Sequence, residues 1–418
     1  MTDAPMPLLP PPMSVLSLGP EAEKRLVGYF EGVGKLLGDR RRREGFAMYA
    51  CGLLGDGERK SVEPIAARAC GCPEEMEATH AKLLFFVSRS AWEDRPLRDY
   101  AARYALHEMQ MRGPVQHWIL DDTGFLKQGK HSPGVQRQYT GSAGKVTNCQ
   151  VGVSLTIATE HAHLPVDMQL YMPESWIADR KRCRAARVPD DLEYRPKWKI
   201  AVSMIESAIN AGLPRGVLLA DCDYGNKTEF RARMDELGVP YALAVQKSTM
   251  ARRVLGSGGR RRVLERTSLE DLAFTLDEKE IRKVTWREGT KGSMSAKFGI
   301  VRVEPMPGDE GPQQEQWLIV EWPDGEHLPA KYALATLPVD YTRKQIVRIL
   351  KERWRTERAY EDLKGELGLD HFEGRSYPGW NHHVTVVLCC FAFLAAEQAR
   401  AFSPRARDHV DRSLERAA

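Results

Sequence analysis

The sequence predicts an α/β fold in which a mixed sheet follows a helical region and is interrupted by an antiparallel β insertion. Three observations support this prediction. Apolar residues recur at helical spacing through the first quarter of the chain. After Pro114, short apolar runs alternate with helical segments, and between about residues 248 and 330 alternating strands are separated by Gly/Pro-rich turns. With 418 residues, the chain is long enough for two or three domains with their own cores.

The first quarter of the chain is predicted to form a helical domain over residues 19–112, behind a Pro-rich, disordered segment at residues 1–18. Two of its helices, Val62 to Ala69 and Pro73 to about Ser88, are short and are joined by a turn at Gly71. Such a pair fits either a helix-turn-helix that reads DNA or an ordinary helical hairpin. The sequence leaves both readings open.

The sheet core is predicted over residues 113–247 and 330–400, with the β insertion at 248–329 between its two parts and a charged tail at 401–418. Its first three strands can form an antiparallel meander, and later alternation of strands and helices adds parallel strands. This is the element order of a ribonuclease-H-like core. The predicted elements are strands Val115 to Leu120, Gln150 to Ala158 and Leu164 to Tyr171, helix Lys197 to Asn210, strand Gly216 to Ala220, helix Asn226 to Leu237, and strands Tyr241 to Val245 and Ala330 to Leu337.

Composition indicates a globular protein of a reducing compartment. Hydrophobic residues make up 42% and charged residues 28% of the chain, and the net charge is +4. The eight cysteines form no C-x-x-C pair, and the best apolar run, Val384 to Ala396, is too short to cross a membrane. Three cationic runs, which are either solvated loops or phosphate contacts, are Arg40 to Arg43, Arg252 to Arg253 and Arg260 to Arg262.

A helix beginning at a capping box on Thr342 changes from apolar to charged along one face. Apolar residues recur at helical spacing from Ile346 to Trp354. Arg353, Glu357 and Lys364 then fall within an arc of about 40°, on the same stripe. Because charges on a core-facing stripe need partners or a metal, other carboxylates are expected near Glu357.

Two apolar strands are predicted to end in pairs of acidic residues. Asp121 and Asp122 follow one strand, and Asp221 and Asp223 follow another. Ligand sites in open α/β sheets collect at this edge, so these side chains are expected to meet Glu357 there. Three carboxylates together need cations, and two divalent ions about 4 Å apart would satisfy them. Hard oxygen ligands favour Mg²⁺, with Mn²⁺ as a substitute, over zinc.

These motifs resemble those of DDE-type transposases of bacterial insertion sequences, in the superfamily with a Tyr-Arg-Glu-Lys signature. The resemblance covers residues from about 110 to 400. Where the signature has Tyr, this chain has Leu350. The stretches that carry the resemblance are Asp121-Asp122-Thr123-Gly124-Phe125, Gln138-Tyr139-Thr140-Gly141, Ala220 to Gly225, and Arg353 to Ser376.

The resemblance implies that Asp121, Asp221 and Glu357 are the catalytic metal ligands. The family's Asp-x-Thr pattern favours Asp121 over Asp122. An aromatic residue three positions after the second Asp favours Asp221 over Asp223. Asp122 and Asp223 remain open as neighbours of the ligands or as alternative ligands.

The resemblance also implies DNA contacts around this site. Arg353 and Lys364 correspond to cations that hold phosphates, and Lys145 and Arg375 are further expected contacts with DNA. Trp286 in the insertion either stacks on an unpaired base or belongs to the core.

The implied activity is transposition, in which metal-dependent cleavage at transposon ends is followed by strand transfer into target DNA, without a covalent enzyme intermediate. The implied partners are double-stranded DNA, as terminal inverted repeats and as target, and a second copy of the chain in a homodimer on DNA. The implied location is the bacterial cytoplasm, in association with the nucleoid. Two alternatives are a related metal-dependent nuclease without strand transfer and a domesticated DNA-binding protein without catalysis.

Overall fold

The structure, a computed structural model, describes residues 18–256, 258–289, 292–306 and 314–401. Nearly all of the predicted disordered N-terminus and of the predicted charged tail lies outside these residues. The described chain divides into two compact units. The first unit comprises residues 18–115, 122–196 and 356–401, and the second comprises residues 116–121 and 197–355.

The first unit begins with five helices, which confirms the helical prediction for this region. They are α1 (Pro20–Leu37), α2 (Arg40–Leu54), α3 (Val62–Ala69), α4 (Met76–Ser88) and α5 (Arg95–Gln110). The prediction that Arg40 to Arg43 form a solvated loop is wrong, because these arginines form the first turn of α2. The Asp39 side chain accepts hydrogen bonds from the backbone N–H groups of Arg41 and Arg42. This cap offsets the unfavourable placement of cations at a helix N-terminus.

Four strands and two short helices follow. They are β1 (His117–Leu126), β2 (Gln136–Thr140), β3 (Lys145–Ala158), β4 (His163–Leu170), α6 (Glu174–Ala178) and α7 (Arg180–Ala185). In the first unit, β3 pairs antiparallel with β2 and β4 and borders the second half of β1. The predicted antiparallel arrangement of the second and third strands is confirmed by the pairing of Ala158 with His163. The first predicted strand does not stop at Leu120, since β1 continues through the acidic pair to Leu126.

The second unit is a sheet with helices. Its elements are α8 (Lys197–Asn210), β5 (Val217–Ala220), α9 (Cys222–Gly225), α10 (Thr228–Glu236), β6 (Tyr241–Val245), β7 (Met250–Leu255), β8 (Arg262–Ser268), α11 (Leu269–Phe274), β9 (Ile281–Gly289), β10 (Gly292–Pro305), β11 (Gln316–Trp322), β12 (Lys331–Ala335) and α12 (Arg343–Leu350). The strand order is β1-β5-β6-β12-β11-β10-β7-β8, with β9 paired to β10. The β1/β5 and β5/β6 pairs are parallel, and the remaining pairs are antiparallel. The predicted mixed sheet of a ribonuclease-H-like fold is therefore confirmed.

Two local predictions in this unit need correction. The helix predicted to begin at Asn226 begins at Thr228, with Lys227 as the N-cap of α10, and the Asn226 side chain instead accepts a hydrogen bond from the backbone N–H of Gln246. The elements β7, β8 and α11 were not predicted individually from the sequence. The buried Leu269 and Leu272 of α11 belong to one apolar core with residues of β10, β11 and β12.

The capping box at Thr342 is confirmed, but the predicted continuous helix is interrupted. Residues Lys351–Arg353 form a 3₁₀ turn, after which α13 runs over Trp354–Gly365. A 3₁₀ turn advances by about 120° per residue, so three residues rotate the helix phase by roughly 60°. The apolar stripe therefore does not continue, and Trp354 is 37% exposed.

The last helix of the described residues, α14 (Tyr377–Ala401), lies in the core of the first unit and is longer than the apolar run Val384 to Ala396 that it contains. It has 25 residues and is apolar enough to cross a membrane by length and composition, but 72% of its most apolar window is buried inside the protein. Burial of this kind is typical of the core helix of a globular protein. His382 and His383 are buried on this helix.

Candidate active site

Asp121 and Asp221 are brought together at one edge of the second unit's sheet. The parallel strands β1 and β5 pair Ile119 with Leu219, and each Asp lies two residues beyond that pair. A carboxylate oxygen of one lies within 4.8 Å of a carboxylate oxygen of the other, and both residues are half-buried. Two carboxylates this close repel each other unless cations lie beside them.

The carboxylate of Asp221 is held by the backbone that follows it. Asp221 is the N-cap of α9, and its Oδ1 accepts a hydrogen bond from the N–H of Asp223 at 3.0 Å. Asp223 is exposed, and its own carboxylate lies 3.6 Å from the ammonium of Lys197. Burial and the two flanking carboxylates raise the pKa of the Cys222 thiol, so this sulfur remains protonated at neutral pH. The candidate metal ligands here are therefore the carboxylates and not the thiol.

The donor set fits a hard divalent cation. Oxygens on one Mg²⁺ at about 2.1 Å can be up to roughly 4.2 Å apart, so the Asp121 and Asp221 oxygens need at most a small approach. Asp122, the next residue of β1, is also half-buried. Carboxylate oxygen is the ligand type that Mg²⁺ and Mn²⁺ prefer.

Arg353 supplies positive charge beside Asp121. One guanidinium nitrogen lies 3.5 Å from Asp121 Oδ2, and both side chains are mostly buried. The Arg353 Nε is buried and has no hydrogen-bond partner among the described residues. The sequence analysis placed Arg353 near the acidic residues, but it did not predict this pairing. A buried donor without a partner is suited to a ligand that brings acceptor oxygens.

Lys364 joins two of the sequence motifs within the first unit. Its ammonium donates to Thr123 Oγ1 at 2.8 Å and to the Gly124 carbonyl at 2.9 Å. The same carbonyl accepts from Ser142, whose hydroxyl is 2.8 Å from that of Thr140. Burial lowers the pKa of Lys364, against the attraction of Asp370.

This cluster requires glycine at position 124. A Cβ atom on Gly124 would lie 2.0 Å from the Thr140 hydroxyl oxygen. The motifs at residues 121–125 and 138–141 and Lys364 are thus connected by direct contacts.

Glu357 lies on α13 in the first unit and is exposed, whereas the sequence analysis placed it on a buried stripe. The buried face of this helix carries Thr356, Ala359, Tyr360 and Leu363. Thr356 and Tyr360 contact hydroxyls of β3, with oxygen–oxygen distances of 3.3 Å to Thr156 and 2.6 Å to Ser154. Because Glu357 follows Thr356 by about 100° of helix rotation, it lies beside the buried face instead of within it.

The remaining predicted contacts differ in exposure. Lys145, at the start of β3, and Arg375, in the segment after α13, are both exposed. The Trp286 ring packs edge-on against Phe298 with centroids 5.9 Å apart, and the Lys351 ammonium lies 4.6 Å from the Trp286 ring centroid. These contacts favour the core reading of Trp286 over base stacking.

One buried cation that contacts α9 was not predicted from the sequence. Arg231 of α10 is 2% exposed and donates a hydrogen bond to the carbonyl of Gly225, at the end of α9. Burial lowers the pKa of this guanidinium. An amphipathic helix with an inward arginine gives no distinct sequence signal, because the pattern does not show which polar residue turns towards the sheet.

Comparisons with known proteins identify the family of the chain. Residues 33–293 match a family described as DDE superfamily endonuclease, and residues 199–393 match a transposase DDE domain. The chain is similar to a protein of Microchaete diplosiphon described as a probable transposase for insertion sequence element IS701. The identity is 25% over 368 residues, which cover 87% of this chain and 85% of that protein. The superfamily acts on DNA and uses divalent metal ions. The chain therefore belongs to the DDE superfamily of endonucleases, and it is a DNA transposase.

Proposed function

We propose that this transposase cleaves DNA at the ends of an insertion element and joins the freed 3′-hydroxyl to target DNA, with Asp121, Asp221 and Glu357 as its metal ligands. The observation that supports this most directly is the approach of the Asp121 and Asp221 oxygens to within 4.8 Å at the edge of parallel strands. We propose Mg²⁺ as the natural ion, with Mn²⁺ as a substitute, because the donors are hard oxygens.

When bound, the ions would activate the attacking water or hydroxyl and stabilise the leaving oxygen of the phosphodiester. The chain's own cations would hold the DNA strand. Arg353 has a buried Nε–H group that could donate a hydrogen bond to a phosphate oxygen. Lys364 uses two of its three N–H groups on Thr123 and Gly124, which leaves one for a second phosphate oxygen. Fixing two non-reacting phosphates orients the reacting one and lowers the entropic part of the barrier.

The wider DNA contacts are part of the same proposal. Lys145 and Arg375 are exposed and would reach neighbouring phosphates. The helical region 19–112 would bind the terminal inverted repeats as a DNA-binding domain, and two copies of the chain would act together as a homodimer on DNA. Asp122 and Asp223 would assist the ligands or replace them. The site of action would be nucleoid DNA in the bacterial cytoplasm.

A cleavage assay tests the assignment of the acidic residues. The substrate is a labelled duplex carrying the element's terminal inverted repeat, with Mg²⁺ present and products separated by strand length. Asp221→Asn should lower the cleavage rate by at least about 100-fold, since it removes a metal ligand. Asp340→Asn is the matched control, because this exposed aspartate of the second unit has no role in the proposed site and should retain most activity.

Glu357→Gln should also abolish cleavage, while duplex binding measured without metal stays unchanged. Cleavage at the normal rate by either Asp221→Asn or Glu357→Gln would show that the ligand set is assigned wrongly.

A further inference from the structure

A dense group of cations in the first unit lies around α7, and the site described above does not use it. Residues 180–185 read Arg-Lys-Arg-Cys-Arg-Ala. Asp179 precedes the helix, and its carboxylate accepts a hydrogen bond from the backbone N–H of Arg182 at 3.0 Å. The nearest acid is thereby committed to capping the helix and only partly offsets its charge.

The helix turns its side chains in two directions. Cys183 is 1% exposed, and Arg182 is half-buried. Arg180, Lys181 and Arg184 are exposed, and at 100° per residue they lie within an arc of about 100°. Three cations therefore point to solvent from one face.

Arg182 fastens α7 to the segment between β1 and β2. Its guanidinium donates to the carbonyls of Lys130 at 2.7 Å and Val135 at 3.2 Å. It also lies 3.7 Å from the centroid of the Trp176 ring, whose indole N–H donates to Val135 as well. A planar guanidinium held by two carbonyls and an aromatic face fixes the helix in place.

The segment to which α7 is fastened is itself basic. Residues 127–148 contain four cations, Lys127, Lys130, Arg137 and Lys145, and no acidic residue. Lys127 turns inward and donates to the carbonyl of Phe372 at 2.6 Å, whereas the other three are exposed. Lys130 and Arg137 thus extend the positive surface from α7 along the chain to β2.

Ion pairing does little to neutralise this surface. Arg184 lies 3.5 Å from Asp190, but the two side chains are 72% and 75% exposed. Exposed pairs contribute little, and a phosphate can replace the carboxylate at small cost. Positive charge held on a rigid surface of a DNA-acting protein is the arrangement that binds phosphates.

We propose that Arg180, Lys181 and Arg184, together with Lys130 and Arg137, bind the sugar–phosphate backbone of duplex DNA. This contact is additional to the phosphate contacts of Arg353 and Lys364, and it rests on the proposed action on duplex DNA. These exposed arginines and lysines would contact phosphates and not the edges of the bases. The contact therefore positions the duplex and is independent of base sequence.

Salt dependence of binding tests the proposal directly. We would compare Lys181→Ala/Arg184→Ala with the matched control Lys279→Ala/Lys331→Ala, which removes two exposed cations that have no proposed contact with DNA. Binding of a labelled duplex is followed by fluorescence anisotropy in EDTA over a range of salt concentrations. Losing two phosphate contacts should reduce the slope of log K against log[salt] by about 1.8. Between 50 and 200 mM salt, the wild type should then lose roughly 12-fold more affinity than the double variant.

The outcomes separate cleanly. An equal reduction of the slope on a duplex with the terminal repeat and on one with scrambled sequence supports a backbone contact. A wild-type slope, or a reduction no larger than that of the control variant, overturns the proposal, as does a loss confined to the terminal-repeat duplex.

Thermal unfolding checks that both variants are folded, which is expected because the inward contacts of Arg182 and Cys183 are untouched. Asp221→Asn should keep the wild-type slope of log K against log[salt]. A failure of the metal-site assignment would therefore not change the outcome of this test.

Discussion

The bond between Lys364 and Thr123 can be measured as a coupling energy. Lys364 donates to the Thr123 hydroxyl at 2.8 Å and to the Gly124 carbonyl at 2.9 Å, and Thr123 is 5% exposed. The perturbation is a double-mutant cycle of Lys364→Met and Thr123→Val, which keeps side-chain volume and removes the polar groups. The cycle asks how strongly the lysine fastens the end of β1.

Two energies set the magnitude. A hydrogen bond from a charged donor contributes about 1.5–3 kcal/mol. Burial lowers the pKa of Lys364, so the folded protein holds this charge at a cost that Lys364→Met relieves. The free energy of unfolding lost in Lys364→Met is therefore smaller than the energy of two hydrogen bonds. The Gly124 carbonyl also keeps its hydrogen bond from the Ser142 hydroxyl. The coupling between positions 364 and 123 isolates one bond, and we expect about 1.5 kcal/mol.

The assay is urea unfolding of the wild type, both single variants and the double variant, with the free energy of unfolding extrapolated to water. In parallel, the cleavage rate of each folded variant is measured. If Lys364 fastens β1 and also contacts a phosphate, Thr123→Val should lower stability and leave most of the activity, whereas Lys364→Met should lower both. A coupling below about 0.5 kcal/mol would refute the bond as a stabilising contact.

Three further predictions follow from close contacts and burial. Gly225→Ala should destabilise the protein by about 3 kcal/mol, because the new Cβ would lie 2.0 Å from the Ala244 carbonyl oxygen, and urea unfolding would measure the loss. Burial lowers the pKa of His383 to about 4 from 6.5, so the folded protein keeps this imidazole neutral while the unfolded chain takes up a proton. Stability should therefore fall as pH drops from 6.5 to 4, by up to about 1.4 kcal/mol per pH unit, and His383→Gln should remove that part of the slope. Asp121→Asn should weaken Mn²⁺ binding, measured by calorimetry without DNA, at least about 10-fold.

Each of these has a control and a contrary result. Gly259→Ala adds a Cβ that meets nothing within 4 Å, so its stability should equal that of the wild type. A similar loss at both glycines would contradict the steric argument. An unchanged pH slope in His383→Gln would mean that the imidazole is protonated in the folded state. Equal Mn²⁺ affinity in Asp121→Asn and the wild type would remove Asp121 from the ligand set, with Asp340→Asn as the control.

Local patterns in the sequence predicted local structure well. The capping box at Thr342, the helix Lys197–Asn210 and the strand Tyr241–Val245 were all predicted at or near their observed bounds. The approach of Asp121 and Asp221 was predictable because strand ends in a parallel sheet share an edge. These features depend on neighbours in the chain or on a general rule of topology.

Features set by distant partners could not be predicted. The rotation at Lys351–Arg353 places Thr356 and Tyr360 against β3 and leaves Glu357 exposed. The helix there buries hydroxyls that bond to Thr156 and Ser154, and an apolar period does not reveal such a face. Likewise, the pairing of Arg353 with Asp121 joins residues 232 positions apart.

The position of α14 has a consequence for the order in which the protein acquires its structure during synthesis. Helix α1 is fastened to α14 by Tyr29, which donates to the Cys389 carbonyl at 2.9 Å, and by Arg25, which pairs with Glu397 at 2.6 Å. These partners are 360 and 372 residues apart. Helix α1 is therefore synthesised long before α14 and exposes its apolar face until α14 emerges from the ribosome, and contacts of such long range fold slowly. A chain interrupted before α14 lacks the centre of the first unit, so a transposase able to hold DNA and cut it is obtained only once α14 has been made.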